Sequence, residues 1–230
     1  MREITVACLD MAGTTVADDG SVMTAFRAAA AEFGLVPGAD GYDEAIAFVQ
    51  ETMGQSKIEV FRRLLGTEER AQQGNRIFEE SYAAAVRAGQ VAPLPGALET
   101  ITALRAADIR VCLATGFAPV TRDAVLDALG WRPLIDLALS PADAGRGRPW
   151  PDLPLTALLR LGGGAVSELA VVGDTPSDVE SGLRAGAGIV AGVLTGAGTA
   201  ESLAAAGTPH VLETVGGLLQ LAGLGTEILQ

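Results

Sequence analysis

Short, continuous apolar runs recur along this 230-residue chain, and several of them stop at a polar or acidic residue. Parallel strands that are buried on both faces have this pattern, whereas strands with one exposed face alternate apolar and polar residues. Segments of helical periodicity separate most of the runs. The alternation predicts an α/β fold with a doubly wound, Rossmann-like parallel sheet. Its strands are expected near residues 4–9, 109–114, 134–139, 168–173, 188–194 and 209–212.

A long stretch between Thr15 and Pro93 lacks a strong strand pattern. Its length of about 77 residues is more than a single βα crossover needs. Helical spacing within it predicts helices at residues 22–33, 42–48, 56–65 and 70–87. We therefore expect two domains, an α/β core made of residues 1–15 and 93–230 and an inserted helical cap made of residues 16–92.

Acidic residues stand at the ends of two apolar runs. Asp10 ends the first and is followed by Gly13 and Thr14, whose backbone N–H and hydroxyl groups suit phosphate oxygens. Asp174 ends a later run, and Asp178 follows four residues on. Because open α/β sheets place their sites at the carboxyl ends of the strands, these carboxylates should converge and need a cation, for which oxygen ligands favour Mg²⁺. Helix capping is the alternative role for Asp178.

Two further segments between these acids offer groups for a phosphoryl ligand. Thr115 and Gly116 follow another apolar run, and Arg148 lies in a loop rich in glycine and proline. A hydroxyl at a strand end can bind a phosphoryl oxygen, and a guanidinium can compensate its charge. The alternatives are a capping threonine and a solvated arginine.

Lys57 is the only lysine of a chain that contains 15 arginines. It follows Met53 and Gly54 and falls in the first turn of a predicted helix. The positive end of the helix dipole and partial burial both lower the pKa of an ammonium there, as a Schiff-base lysine requires. The alternative is an ordinary solvated lysine in a chain that prefers arginine.

Four motifs, taken in order, resemble those of the haloacid dehalogenase superfamily: DMAGTT at 10–15, ATG at 114–116, GRP at 147–149 and GDTPSD at 173–178. The resemblance implies that Asp10 is a nucleophile that forms an aspartyl-phosphate. It also implies that Mg²⁺ is held by Asp10, the Ala12 carbonyl and Asp174, with Asp178 supporting the metal site.

Three features resemble the phosphonatase family within that superfamily. Ala12 stands where ordinary phosphatases have a second aspartate that acts as general acid, Arg148 replaces the usual lysine of the core, and Met53 and Lys57 form a Met-Gly-x-x-Lys motif. The resemblance implies hydrolysis of the C–P bond of a 2-oxoalkyl phosphonate through a Lys57 Schiff base, and a homodimer formed through the cap. Residues expected to bind the substrate and its phosphoryl group are Ala12, Gly13, Thr14, Met53, Thr115, Gly116 and Arg148.

Two positions depart from the phosphonatase pattern. Val60 stands where that family has histidine, and Phe117 stands where it has tyrosine. Both changes remove groups that help proton transfer, which leaves the substrate open. Two alternatives also stay open: a phosphatase for a small phosphate ester, in which a cap group replaces the missing acid, and a module that binds Mg²⁺ and a phosphorylated ligand without turnover.

Composition limits the partners of the chain. The formal net charge is −12 and no basic cluster offsets it, so we expect neither nucleic acid nor an acidic membrane surface as a partner. The first ten residues do not read as a secretion leader, and no run of 18 apolar residues occurs. We therefore expect a cytoplasmic enzyme with a small-molecule substrate.

Overall fold

The computed structural model of the protein describes residues 3–17 and 19–225. The predicted core also included residues 1, 2 and 226–230, which lie outside the described residues. The described part of the chain forms eight strands: β1 (Val6–Asp10), β2 (Val16–Ala17), β3 (Ala92–Pro93), β4 (Arg110–Ala114), β5 (Leu137–Leu139), β6 (Leu169–Gly173), β7 (Ile189–Val193) and β8 (His210–Leu212).

Six of the strands form one parallel sheet in the order β5-β4-β1-β6-β7-β8. This arrangement confirms the predicted α/β fold. β1 is central, and Asp10 at its end lies beside Ala114 of β4. The fifth strand begins later than predicted, at Leu137, because a 3₁₀ helix (Arg132–Leu134) occupies the start of the expected range.

The helices that cover the sheet are α5 (Ala97–Ala106), α6 (Pro119–Leu129), α7 (Pro141–Ala144), α8 (Asp152–Arg160), α9 (Pro176–Ala185), α10 (Ala200–Ala205) and α11 (Leu218–Leu221). Two further 3₁₀ helices span Val166–Glu168 and Val215–Gly217. Successive residues of β1 point into different apolar clusters: Ala7 and Leu9 into one, Val6 and Cys8 into the other. The sheet is thus buried on both faces, which explains its continuous apolar runs.

The segment between β2 and β3 contains the four cap helices: α1 (Ser21–Ala31), α2 (Tyr42–Glu51), α3 (Lys57–Leu65) and α4 (Glu68–Arg87). At the root of the cap, β2 and β3 pair as an antiparallel ribbon. The longest helix, α4, packs against α1 and α3. Phe26, Phe61 and Phe78 of these helices form an aromatic cluster with ring centroids 4.6–6.1 Å apart. No helix among the described residues is both long and apolar enough to cross a membrane.

Candidate active site

A cavity of about 390 Å³ opens at the carboxyl ends of β1, β4 and β6, beneath the cap. Nine of the residues predicted for the site line it: Asp10, Ala12, Gly13, Met53, Lys57, Thr115, Gly116, Arg148 and Asp174. Thr14 and Asp178 do not line the cavity; they contact residues that do. The structure therefore brings the residues of all four motifs and the cap lysine to one place.

Asp10 is the last residue of β1 and is 5% exposed. Its Oδ1 lies 2.8 Å from Nη1 of Arg148. Burial raises the pKa of Asp10 well above its ordinary value, and the charges of Asp178 and Asp174 add to the rise while Arg148 opposes it. The positive charge of one arginine thus does not balance the negative charges of these acids, and a further cation would be needed to balance them.

Asp174 follows the last residue of β6 and is held by two loops. Its Oδ1 accepts a hydrogen bond from the Thr14 hydroxyl at 3.4 Å, and its Oδ2 accepts one from the Ala197 N–H at 2.7 Å. A Cβ at Gly13 or Gly196 would lie 2.5 Å or 2.0 Å from the same Oδ2, so both loops need glycine to approach the carboxylate this closely. Burial, and then the Asp178 charge, raise the pKa of Asp174 to about 7.

Arg148 joins Asp10 to Asp178. Its Nε lies 2.6 Å from Oδ1 of Asp178, and its Nη2 donates to the carbonyl oxygen of Ala114 at 3.1 Å. Burial acts to lower the pKa of this guanidinium, but Asp178 and Asp10 raise it by more. The arginine is therefore a fixed, buried positive charge beside Asp10.

Asp178 caps a helix, as the alternative role predicted, and it also contacts Arg148. It forms a capping box with Thr175 at the start of α9, where its Oδ2 accepts the Thr175 N–H at 3.1 Å. Its other oxygen faces Arg148. In the structure Asp178 thus acts on the cavity through Arg148, and helix capping accounts for the rest of its contacts.

The groups around Asp10 suit a divalent cation that prefers oxygen ligands. Asp10, Asp174 and Ala12 line one cavity. Both acids have raised pKa values, so the site disfavours two negative charges unless a cation is bound. Carboxylate and carbonyl oxygens match the preference of Mg²⁺.

Lys57 is the first residue of α3, as its spacing predicted, and it is 6% exposed. Its Nζ lies 5.6 Å from the ring centroids of both Phe26 and Phe117. Burial lowers the pKa of Lys57, while the charges of Asp10 and Glu79 oppose that change. The amine is thus a buried group in the same cavity as Asp10, and the solvated-lysine alternative is wrong.

The structure explains why the Met-Gly-x-x-Lys motif has glycine at position 54. Gly54 has φ +81°, and a Cβ there would lie 2.3 Å from the Thr175 hydroxyl oxygen. On the other side of this loop, the Lys57 N–H donates to the Gly116 carbonyl at 3.2 Å, and a Cβ at Gly116 would lie 2.4 Å from the Gln55 carbonyl oxygen. The cap loop therefore rests directly on the core loops and fixes the start of α3 above the cavity.

Val60 and Phe117, the two departures from the phosphonatase pattern, also have apolar surroundings. Val60 is 1% exposed and belongs to the apolar cluster that joins the cap helices to one face of the sheet. Phe117 is 2% exposed, and its ring centroid lies 4.5 Å from that of Tyr82. Neither position brings a titratable group to Lys57.

The sequence did not single out several groups that the structure brings to the cavity or to its lysine. Asp19, Leu94 and the loop that contains Thr195 line the cavity, and Glu79 of α4 lies close enough to Lys57 to influence its pKa. The glycines of 195–198 gave a weak signal of close backbone approach. Glu79 gave none, because α4 contains several glutamates and only the packing distinguishes one from another.

The sequence of the chain is similar both to a family model and to a curated protein. The family model of haloacid dehalogenase-like hydrolases matches residues 4–186. A phosphonoacetaldehyde hydrolase from Pseudomonas entomophila (strain L48) is 28% identical over 212 residues, which cover 84% of this chain and 74% of that protein.

Two solved structures share the fold. A phosphonoacetaldehyde hydrolase like protein from Oleispira antarctica has a TM-score of 0.82 and 25% identity, and the match covers 96% of this chain and 92% of the other. A predicted phosphoglycolate phosphatase from Haemophilus somnus has a TM-score of 0.78 at 19% identity, with 96% and 99% covered. At that identity the second likeness concerns the fold alone.

Proposed function

This chain belongs to the haloacid dehalogenase-like hydrolase family, and from that premise we propose that it hydrolyses the C–P bond of a 2-oxoalkyl phosphonate. Phosphonoacetaldehyde, or a relative of it, is the proposed substrate. Asp10 is the proposed nucleophile toward phosphorus, and Lys57 the amine that binds the carbonyl carbon.

One observation carries the proposal: the only lysine of the chain is buried in the same cavity as Asp10. Arg148 already supplies a fixed positive charge beside Asp10, so a phosphatase has no need of a second buried cation there, whereas a neutral amine is the reagent that an aldehyde requires. Ala12 adds to this, because loss of a general acid costs an ester phosphatase about 10²- to 10⁴-fold in rate. A carbon leaving group that departs as an enamine has no need of that acid.

The first covalent step joins Lys57 to the substrate. The neutral amine attacks the carbonyl carbon, and the carbinolamine that results takes up a proton on its hydroxyl group and loses water, which leaves an iminium. The lowered pKa of Lys57 increases the fraction of neutral amine at physiological pH. The rings of Phe26 and Phe117 flank the ammonium in the free protein and suit the iminium that replaces it.

The second step cleaves the C–P bond. A carboxylate oxygen of Asp10 attacks phosphorus, and the bonding electrons of the C–P bond move into a carbon–carbon double bond while the iminium nitrogen becomes neutral. The products of this step are an aspartyl-phosphate at Asp10 and an enamine at Lys57. Arg148, 2.8 Å from Asp10, offers a fixed positive charge to the phosphoryl oxygens.

Water completes the reaction at both residues. It releases inorganic phosphate from Asp10, and the enamine takes a proton on carbon and is hydrolysed to acetaldehyde, or a homologous carbonyl compound, and free Lys57. Asp10, Asp174 and the Ala12 carbonyl would hold Mg²⁺. When bound, the ion supplies charge neutralisation for the phosphoryl oxygens and the attacking carboxylate.

The cavity supports a substrate larger than phosphonoacetaldehyde as well. The apolar residues Val22, Met23 and Leu94 also line it. Its volume of about 390 Å³ exceeds what a two-carbon phosphonate fills. A short alkyl substituent next to the carbonyl group is therefore compatible with these walls.

An ester phosphatase is the second candidate, and Asp19 is the observation that favours it. This exposed acid of the cap root also lines the cavity, so it is available as the cap group that replaces the missing general acid. In that case Asp19→Asn should remove activity and Lys57→Arg should not.

Rates of phosphate release from two substrates separate the candidates. We expect Lys57→Arg, which keeps the charge but cannot form an imine, to lose about a thousandfold or more of the activity on phosphonoacetaldehyde. Arg27→Lys is the matched control, because it adds an exposed lysine on α1. Activity on a small phosphate ester that survives Lys57→Arg and disappears in Asp19→Asn would overturn the proposal.

The homodimer through the cap and the cytoplasmic location stay predictions. Light scattering on the purified protein would test the first, and fractionation of the source cells the second.

A further inference from the structure

Glu79 of α4 is a buried acid at the contact between cap and core. It is 8% exposed, and its Oε1 accepts a hydrogen bond from the Ala118 N–H at 3.1 Å. Its Oε2 is buried and accepts no hydrogen bond of good geometry within the described part of the chain, although the Thr121 hydroxyl lies near enough to lower the pKa of the carboxyl. A buried carboxylate oxygen without a partner is costly, so it calls for an explanation beyond packing.

A second, small cavity of about 110 Å³ adjoins this carboxylate. Glu79 and Lys57 both line it, together with Ser56, Asn75 and Phe117. Asn75 precedes Glu79 by one helical turn, and its Oδ1 is also buried without a partner. Two residues with unpaired acceptor oxygens thus line one small cavity, whose volume is large enough for water.

We propose that Glu79 acts through Lys57. It exchanges a proton with the Lys57 amine, by way of water in this small cavity. The inference rests on the proposed Schiff-base function and deepens it. It gives this chain a titratable partner for Lys57 that Val60 and Phe117 do not provide.

The Lys57 ammonium gives one proton to the Glu79 carboxylate and becomes a neutral amine. The amine adds to the substrate carbonyl, and a proton moves from nitrogen to oxygen to give the neutral carbinolamine. Glu79 then returns its proton to the departing hydroxyl group, so water leaves, the iminium forms and Glu79 is again a carboxylate.

Burial makes this transfer less costly than it is in water. It raises the pKa of Glu79, while the nearby Thr121 hydroxyl, the Ala118 N–H and the Lys57 charge limit the rise. Burial also lowers the pKa of Lys57. The two values move toward each other, so the neutral pair lies closer in free energy to the ion pair. The other charged groups that act on Lys57 are Asp10, Asp174 and Arg148.

A purely structural role accounts for only part of this geometry. α6 begins after Ala118 without a capping side chain of its own, and Glu79 supplies an acceptor to that N–H from the cap. That contact uses Oε1 alone. It explains neither the unpaired Oε2 nor the unpaired Asn75 oxygen beside the same cavity.

Glu79→Gln separates the roles, because the amide oxygen can still accept the Ala118 N–H. The measurement is the rate at which sodium borohydride traps phosphonoacetaldehyde on Lys57 at pH 7, in the Mg²⁺-loaded protein. We expect this rate to fall at least about tenfold. A merely structural role predicts no change. A purely electrostatic role predicts a faster rate, because the Glu79 charge raises the pKa of Lys57 and its loss would free more amine.

Two further samples complete the test. Glu80→Gln changes the exposed neighbour on the same helix and should trap at the wild-type rate. Glu79→Ala should trap slowly and recover when formate is added, because formate can enter the small cavity and carry the proton. An unchanged or faster rate in Glu79→Gln, with normal trapping in the wild type, overturns this inference alone. A wild type that forms no adduct at Lys57 overturns the proposed function, and this inference with it.

Discussion

The guanidinium of Arg148 lies 2.8 Å from the carboxylate of Asp10, and both side chains are buried. The same guanidinium lies 2.6 Å from Asp178. The arginine of the GRP motif therefore holds together the proposed nucleophile and the second acid of the fourth motif, Asp178. Its loss would leave two buried acids without their cation.

We expect Arg148→Ala to lower the free energy of unfolding by about 3–5 kcal/mol at pH 7, as removal of one partner from a buried ion pair does. Urea unfolding checks this. Arg146→Ala is the matched control. Arg146 lies two positions before Arg148 and is exposed where it pairs with Asp152, so its loss should cost less than about 1 kcal/mol. Equal effects of the two substitutions would contradict the role assigned to Arg148.

The metal-free protein should lose stability as the pH rises from about 4 to about 7. The pKa of Asp174 is raised to about 7 from an ordinary 3.8, so the folded state binds more protons than the unfolded state between these values. Its contribution is thus present at low pH and lost as the pH rises, at up to about 1.4 kcal/mol per pH unit. Unfolding in EDTA at several pH values checks this, and Asp174→Asn should flatten the slope. A slope that is the same in both proteins would contradict it.

Mg²⁺ should raise the melting temperature at pH 7. A ligand that binds only the folded state adds about 2.7 kcal/mol at a hundred times its Kd, and here it also relieves the repulsion between Asp10 and Asp174. Thermal melts with EDTA and with excess Mg²⁺ measure the shift. Asp174→Asn should reduce it sharply, whereas Asp152→Asn, on the surface away from the cavity, should not. A shift that survives Asp174→Asn would rule out this metal site.

Gly54→Ala should reduce borohydride trapping at Lys57 although the new methyl group does not contact the lysine. The new Cβ would lie 2.3 Å from the Thr175 hydroxyl oxygen, so the cap loop must move and Lys57 moves with it. Gly66→Ala is the matched control, because Gly66 has a similar φ of +78° but open space around its Cβ position. Gly66→Ala should lose about 1–2 kcal/mol of stability and Gly54→Ala more than that because of the clash, and only Gly54→Ala should lose trapping at Lys57. Equal trapping would mean that this contact does not position the lysine.

The sequence predicted the sheet well because its strands are buried on both faces, which gives each run a continuous apolar pattern. The acids at the ends of β1 and β6 followed from the same pattern, since parallel strands end at one edge. Lys57 at the start of α3 was visible because Gly54 interrupts the apolar spacing before it. The predicted start of β5 was wrong, because the apolar residues before Leu137 fit a 3₁₀ helix as well as a strand.

Long-range contacts were not visible in the sequence. Ala197 holds Asp174 from 23 residues away, and Glu79 of α4 accepts the Ala118 N–H from 39 residues away. Asp178 shows a different limit, because its two oxygens make two separate contacts and local spacing suggested only alternatives. Such relations depend on how the cap packs on the core.

The Schiff base at Lys57 is the central claim, and borohydride reduction during turnover of phosphonoacetaldehyde tests it most directly. Because Lys57 is the only lysine, peptide mass spectrometry can assign the adduct without ambiguity among side chains. We expect N-ethyl-lysine at residue 57 with phosphate release in the wild type, and N-(2-phosphonoethyl)-lysine without phosphate release in Asp10→Asn, where the C–P bond stays intact. Phosphate release without any adduct, undiminished in Lys57→Arg, would contradict the account.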